Sequence, residues 1–592
     1  MKFFSLENKL LIWVIFIFLL IYLLLRAVFI RPYCDEVSTL FEYIEAPYLI
    51  ESTIKDSSAN NHLLNTLLGK FIYIFFGDNF SFLRIPNILA FTLYFFSIKY
   101  IVSKSVLFKY QFLTFISLNT IAWIFEYFGY LRGYGLALGF LFCAIALFYS
   151  WSEKKTVVKF IFFLFFVWLS VFANLSFFNT SIILLFYSIL YIFLNVSSLT
   201  KKSFIAYFFS CIGFIFALYP LVLYSFQLKE AGALWWGNLN GLWMCTGYFL
   251  SQITLFTTHI SVKYFAILLI LLIGILGLLK LKSIGIKKFI ASFEGIFFTL
   301  FIGNILMIEV LAVFFKVNYP RDRAAVQLVL FLIFALVLFI QKIRILNYLS
   351  FVLLFFPISF LLKINLNSSI YQNNHRLSNS VSQYLKKHVS SESSYSFYAL
   401  LETSGYLKLR SDKKTQLFNI ERYSNSVESS LLIVESNYIP PSYYQRTMVD
   451  QTANISIYKN RKRYKYNLVK DTIIKFSKTE NDLMLFQGKG IDSIFKSNKF
   501  KVKITGLVNF PNTTIPLHLI LTLGDSLNPI RHYHENSLEK IAKRKTTIDF
   551  VWNSPIYTIE KDKKDLSIYM WNINKQFVRY KNLHLKMYSV AE

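Results

Sequence analysis

Long apolar runs recur along the first two thirds of this chain, parted by short breaks that carry lysines. A run of about 20 apolar residues is long enough to cross the hydrocarbon core of a bilayer as a helix. The first is Leu10 to Ile30. Further runs at roughly 84–102, 106–127, 133–151, 157–174, 178–197, 204–225, 262–281, 290–314, 325–341 and 345–363 bring the expected spans to about eleven. Composition agrees: 55% of the residues are hydrophobic and 64 are Phe. No soluble fold hides that much apolar surface, whereas lipid accepts it.

The lysines test this span count. Lys2 and Lys9 precede span one, and Lys99, Lys104 and Lys109 lie around the break between spans two and three. Lys154, Lys155 and Lys159 follow span four, and Lys201 and Lys202 follow span six. Lys280, Lys282, Lys287 and Lys288 follow span eight, and Lys342 and Arg344 follow span ten. Every second break is therefore lysine-rich, as the positive-inside rule requires of a topology with the N-terminus in the cytoplasm and the C-terminus outside. The formal net charge of +29 thus reflects topology, and no nucleic-acid-binding motif accompanies it. Cys34, Cys143, Cys211 and Cys245 are far apart and lack metal-type spacing. The N-terminal run has no small-residue cleavage site and reads as a retained anchor.

The outward segments are then 31–83, 128–132, 175–177, 226–261, 315–324 and everything past 364. In the first outer loop, 31–83, the apolar run after Asn61-His62-Leu63-Leu64 is interrupted by Asn65 and Lys70. It is short for a span and fits a helix lying along the outer interface. Beyond Asn365 the composition turns to Ser, Asn, Lys and Tyr, with alternating strand-like segments at 396–399, 431–435, 501–506, 517–523, 546–552, 567–571 and 583–588. The expected fold is an α-helical polytopic membrane protein, residues 1–365, followed by a mostly-β extracytoplasmic domain, residues 366–592. Within the latter, 375–460 reads as α+β with a helix at 380–388, and 461–592 as a β-sandwich.

Ionisable groups at the outer membrane surface are the places to look for chemistry. Asp35 and Glu36 follow span one, and adjacent carboxylates repel unless a cation, a metal or a proton donor is meant to arrive. His62 heads the interfacial helix, where it also suits a capping role. Arg84 opens span two in Leu83-Arg84-Ile85-Pro86, a position equally suited to a snorkelling anchor. The outer end of span three reads Glu126-Tyr127-Phe128-Gly129-Tyr130-Leu131-Arg132-Gly133-Tyr134. A guanidinium there forks onto phosphate oxygens and a glycine admits close approach, with an Arg132–Glu126 pair as the structural alternative. The turn Asn318-Tyr319-Pro320-Arg321-Asp322-Arg323 puts two arginines outside, suited to an anion or to pairing with Asp322 or Glu309. Trp235 and Trp236 suit an aromatic belt or sugar stacking.

Together these residues resemble the GT-C glycosyltransferases that use lipid-phosphate sugars, nearest to the dolichyl-phosphate-mannose protein mannosyltransferase and lipid A aminoarabinose transferase types. The family's acidic element after span one matches Asp35-Glu36, and its interfacial helix matches Asn61-His62-Leu63-Leu64 without the family's prolines. Its Arg-Pro pattern matches Arg84-Ile85-Pro86. The family's arginine after span three matches Arg132, and its late outer-loop arginine matches Arg321 or Arg323. The resemblance covers residues 1 to about 150 well and later spans in outline.

The resemblance implies a polyprenyl-phosphate-linked sugar donor, its tail in membrane lipid and its phosphate held by Arg132 and Arg321 or Arg323, with Arg84 nearby. Asp35 acts as general base on an extracytoplasmic acceptor (glycan, lipid or protein), giving inversion, while Glu36 positions the acceptor or a cation. Tyr134, His62, Trp235 and Trp236 contact substrate. The resemblance names no certain cofactor; divalent-metal use varies across the wider family, and Asp35 and Glu36 would carry it. The location implied is a bacterial plasma membrane. The rival readings are a lipid-linked glycan transporter or flippase, which should show internal repeats, and a surface-polysaccharide polymerase or ligase.

Overall fold

The structure is a computed structural model of the chain. It describes residues 6–592 except 47, 51–57, 235–236, 238–240, 256–262, 342, 344–346, 368, 370–378, 389–393, 398–415, 419, 423–426, 437, 452–453, 480, 490, 492–493, 496, 510–516, 525–530, 538–546, 560–564, 573–574 and 576.

Each expected span coincides with helical structure. Among the described residues eight helices are long and apolar enough to cross a bilayer: Lys9–Phe29, Phe80–Ser105, Gly133–Lys154, Leu175–Leu194, Lys201–Glu230, Tyr264–Ile290, Phe293–Phe315 and Asp322–Ile340. A ninth is a bent pair, Phe108–Asn119 with Ala122–Gly129, broken by 51°. The bend has a chemical cause. Asn119 Nδ2 donates to the Phe115 carbonyl (2.8 Å) and Thr120 Oγ1 to the Ile116 carbonyl (2.7 Å), so side chains compete for the helical acceptors. Val157–Ala173 and Phe351–Lys363 are shorter apolar helices at the remaining two expected positions. The chain is a multi-pass membrane protein.

Burial sorts these helices. The apolar windows of Asp322–Ile340 and Gly133–Lys154 are 83% and 72% buried, against 17% for Tyr264–Ile290 and 28% for Lys201–Glu230. The first two are central and the last two peripheral. Small residues permit the central packing. A Cβ on Gly139 would lie 2.6 Å from the Ala90 carbonyl oxygen, and one on Gly135 would lie 2.7 Å from that of Tyr127. The helix Leu63–Phe76 is too short to span. It buries Leu63, Leu64, Asn65, Thr66 and Gly69 and exposes Leu67, Phe71, Ile74, Phe75 and Phe76. An exposed face of that composition suits lipid, in keeping with an interfacial helix.

The chain divides into two compact units, Met1–Phe29 with Tyr43–Leu366, and Ile30–Glu42 with Asn367–Glu592. The sequence reading kept all of 1–365 together; the structure groups Ile30–Glu42, including the acidic pair, with the C-terminal residues. Among its described residues the second unit holds three sheets. In one, Tyr395–Phe397 runs parallel to Ile420–Arg422 and Leu431–Glu435, and Ile455–Asn460 and Tyr444–Asp450 continue antiparallel. The helix Asn379–His388 belongs to this part of the chain. A second sheet centres on Lys499–Asn509, flanked by Thr547–Asn553 and by Val578–Ala591, which pairs with the long strand Lys465–Thr479. The third orders Arg531–Ser537, Leu517–Gly524, Asp565–Asn572 and Leu483–Gly488. Burial alternates along Lys499–Asn509 and Asp565–Asn572, so each of these strands buries one face. Gln416–Phe418 and Val427–Glu428, from before residue 460, add to the second sheet.

Candidate functional site

The membrane unit gathers several of the expected residues around His62. This histidine precedes the helix Leu63–Phe76 with extended backbone, and its side chain makes no capping bond; its carbonyl accepts from the Thr66 N–H (2.8 Å). Capping is therefore not the role of its ring. The imidazole is 5% exposed, and its Nε2 has no hydrogen-bond partner. It meets Tyr134 edge-on, with ring centroids 5.0 Å apart. Burial, reinforced by the charges of Arg132 and Arg323, holds its pKa well below the usual histidine value, so it is neutral at physiological pH. Both guanidiniums are thus within electrostatic reach of the imidazole.

Arg132 is fully buried, and its Nη2 donates to Asn60 Oδ1 at 2.6 Å. Its guanidinium carbon lies 6.0 Å from the centre of the Tyr134 ring. The sequence paired it structurally with Glu126, but Glu126 instead meets Arg26 of the first span in a buried ion pair. Arg26 Nη1 also donates to the Tyr22 hydroxyl (3.1 Å) and to the Asn365 carbonyl (3.0 Å), fastening span one to the end of the last. Gly133 also differs from expectation. A Cβ there would lie 1.9 Å from the Ala173 carbonyl oxygen and 2.9 Å from His62 Cβ. The glycine admits the protein's own backbone, where the sequence reading had it admit a phosphate.

The turn 318–323 separates its two arginines. Arg323 is buried, while Arg321 extends to an ion pair with Asp322 (3.5 Å) and its side chain is 53% exposed. Asp322 between them has φ +51°, a left-handed turn in the backbone. Glu309 accepts from the Tyr319 hydroxyl (2.9 Å), so this carboxylate serves the turn itself. Arg84 is buried and donates through Nη1 to the Ala27 carbonyl (3.1 Å), tying the start of one span to the end of another. A snorkelling anchor would be exposed, and Arg84 is not. Trp235 and Trp236 lie outside the described residues.

In the second unit, Asp35 and Glu36 open a short helix, Cys34–Ser38. Glu36 is fully buried and its Oε2 accepts from the Tyr33 N–H (3.3 Å), satisfying a donor at the helix start. Asp35 is half-buried, and its carbonyl accepts from the Thr39 hydroxyl (2.8 Å). The Cys34 Sγ lies 3.7 Å from Asp35 Oδ1. Among the described residues no group of three His, Cys, Asp or Glu side chains gathers as a metal set.

The sequence reading missed Asn174, Ser176 and Gln327. Their only signal was position, polar residues at the outer ends of apolar runs. Asn174 and Gln327 are each 4% exposed.

No family model and no curated protein matches the chain. Among solved structures it is similar to the arabinosyltransferase EmbB from Mycobacterium smegmatis, at 8% identity and a TM-score of 0.34, over 98% of this chain and 64% of that one. The chain thus spans less than two thirds of the length of EmbB. It is also similar to ArnT from Cupriavidus metallidurans, solved apo and bound to undecaprenyl phosphate. Both states give 9% identity and a TM-score of 0.30, over 75% of this chain and 97% of that one. Superpositions this loose carry no argument about chemistry, which rests on the chain's own residues.

Proposed function

We propose that the chain is a membrane glycosyltransferase that moves a sugar from a polyprenyl-phosphate donor to an extracytoplasmic acceptor with inversion. The observation that carries this reading is that two buried arginines, Arg132 and Arg323, lie within electrostatic reach of the buried, neutral His62 in a membrane unit. A guanidinium is the side chain best suited to phosphate oxygens, and burial strengthens its field. As the bond from the anomeric carbon to the phosphate oxygen breaks, charge grows on the phosphate, and fixed guanidiniums stabilise it. His62, uncharged, contributes a hydrogen bond; it supplies no net charge.

Asp35, the half-buried carboxylate of the acidic pair, takes the proton of the acceptor hydroxyl as that oxygen attacks the anomeric carbon. Glu36, held by the Tyr33 N–H, fixes the short helix that carries Asp35. ArnT solved with undecaprenyl phosphate provides a parallel for the lipid; for this chain the donor class rests on the arginine cluster and on the resemblance of its outer motifs. The experiment is transfer of labelled sugar from a panel of undecaprenyl-phosphate sugars in membranes, comparing wild type with Asp35→Asn. Transfer from at least one donor, lost in the variant while the protein still accumulates in the membrane, supports the reading. Full transfer by the variant would remove Asp35 from the mechanism, and no transfer from any donor would remove the reading.

A further inference from the structure

Next to the arginine cluster the membrane unit holds a connected run of uncharged polar groups. Gly133 brings its two ends together, since its absent Cβ position lies 2.9 Å from His62 Cβ and 1.9 Å from the Ala173 carbonyl oxygen. The next residue, Asn174, caps the turn Leu175–Phe177 by accepting through Oδ1 from the Ser176 N–H (3.0 Å). The Ser176 carbonyl in turn accepts from Gln327 Nε2 (3.1 Å). Gln327 lies four residues after Arg323, at the start of the central helix Val326–Ile340.

These bonds fix which atoms are left over. Asn174 uses its oxygen, so Nδ2 remains; Gln327 uses its nitrogen, so Oε1 remains; Ser176 uses only backbone atoms, so Oγ remains. Asn174 Nδ2, Ser176 Oγ, Gln327 Oε1 and His62 Nε2 are all buried without a hydrogen-bond partner. A buried polar group left unpaired is costly, so four in one run is an arrangement that calls for a ligand. The remaining set mixes a donor (the amide N–H of Asn174), an acceptor (the carbonyl of Gln327) and groups able to do either. A phosphate offers acceptors only and leaves Gln327 unsatisfied. Hydroxyls both donate and accept, and satisfy all four.

We infer that Asn174, Ser176, Gln327 and His62 form a subsite for the hydroxyls of an uncharged sugar, adjoining the phosphate held by Arg132 and Arg323. This deepens the proposed function and rests on it. The subsite carries no formal charge, so it gives no counter-ion to an amino or carboxylate group on the sugar. The arginines bind what is common to all polyprenyl-phosphate donors, and the amide and hydroxyl groups select among them.

Ser176→Ala removes only the unpaired Oγ, leaving both backbone contacts of the turn in place. Asn174→Asp keeps the Oδ1 cap and replaces only the unpaired Nδ2. The test is the affinity of the full-length protein in lipid nanodiscs for two probes, undecaprenyl phosphate and undecaprenyl-phosphate-glucose. Melting temperatures are recorded alongside. The inference predicts that each variant weakens the glucose-linked lipid by about three- to tenfold, the worth of one hydrogen bond to a neutral group, and leaves the bare phosphate lipid unchanged. Equal losses for both probes would show a structural role, and no loss for either would show that the run holds only water; both overturn the inference and leave the proposed function standing. Failure of the wild type to bind either lipid would overturn both.

Discussion

The two units each gather charged groups, and they do so to opposite ends. In the C-terminal unit Glu428 accepts from Lys499 (2.9 Å), Lys462 (3.4 Å) and the Tyr464 hydroxyl, while Glu592 accepts from Lys462 (2.6 Å) and Lys499. Two acids and two bases alternate, and the cluster joins the strand Val427–Glu428 to the edge of the Lys499–Asn509 strand. In the membrane unit two guanidiniums of the same sign are drawn around a neutral imidazole. The acid–base cluster ties strands together, whereas guanidiniums beside a neutral imidazole suit an anion.

The sharpest way to break this comparison is to exchange roles. The largest expected effect is at Asp35: Asp35→Asn lowers transfer at least about a hundredfold, the usual worth of a general base, with unchanged membrane accumulation. Next, Arg323→Ala lowers transfer by about a hundredfold or more, as loss of a buried oxyanion donor does, whereas Arg321→Ala, with its exposed side chain, leaves transfer within about twofold. Steady-state transfer assays on the pair test the contrast directly.

Smaller effects sharpen the same comparison. The His62 pKa lies below its unfolded value, so its titration costs the fold nothing above about pH 6.5 and destabilises it as the pH falls below that, where the unfolded chain takes up the proton. His62→Gln keeps a neutral hydrogen-bonding group and should lessen that acid sensitivity of the membrane unit, read as melting temperature between pH 7 and pH 5. The C-terminal cluster behaves differently. Burial would raise the Glu428 pKa, but hydrogen bonds from Tyr464 and Lys499 hold it below the ordinary glutamate range; those from Lys462 and Lys499 bring Glu592 to about 2. Its contribution is thus complete above about pH 4.3, the unfolded glutamate value, and is lost as the pH falls through the lower folded values. Glu428→Gln should destabilise the C-terminal unit by about 1–3 kcal/mol, seen in its own thermal transition, and leave lipid-phosphate affinity untouched.

Much of the fold was legible because its signals are one-dimensional. Apolar length and lysine alternation located the spans, and the strands at 431–435 and 517–523 fell within a residue of their structural bounds. The long strand Lys465–Thr479 escaped notice because its lysines and Asp471 dilute the alternation. The site was legible only by residue type. That Arg323 and not Arg321 turns inward depends on a left-handed backbone at Asp322. That Glu126 serves Arg26 depends on a contact across 100 residues. Asn174, Ser176 and Gln327 carry no motif, and only hydrogen-bond accounting in three dimensions shows which of their atoms are left over.

The proposed function stands or falls with buried Arg132 and Arg323, beside His62, binding the donor phosphate. Affinity for undecaprenyl phosphate, measured for the full-length protein in nanodiscs as wild type, Arg323→Ala and Arg321→Ala, tests it most directly. The account predicts binding by the wild type, a loss of about tenfold or more in Arg323→Ala, and wild-type affinity in Arg321→Ala. Undiminished binding by a well-folded Arg323→Ala protein would contradict it.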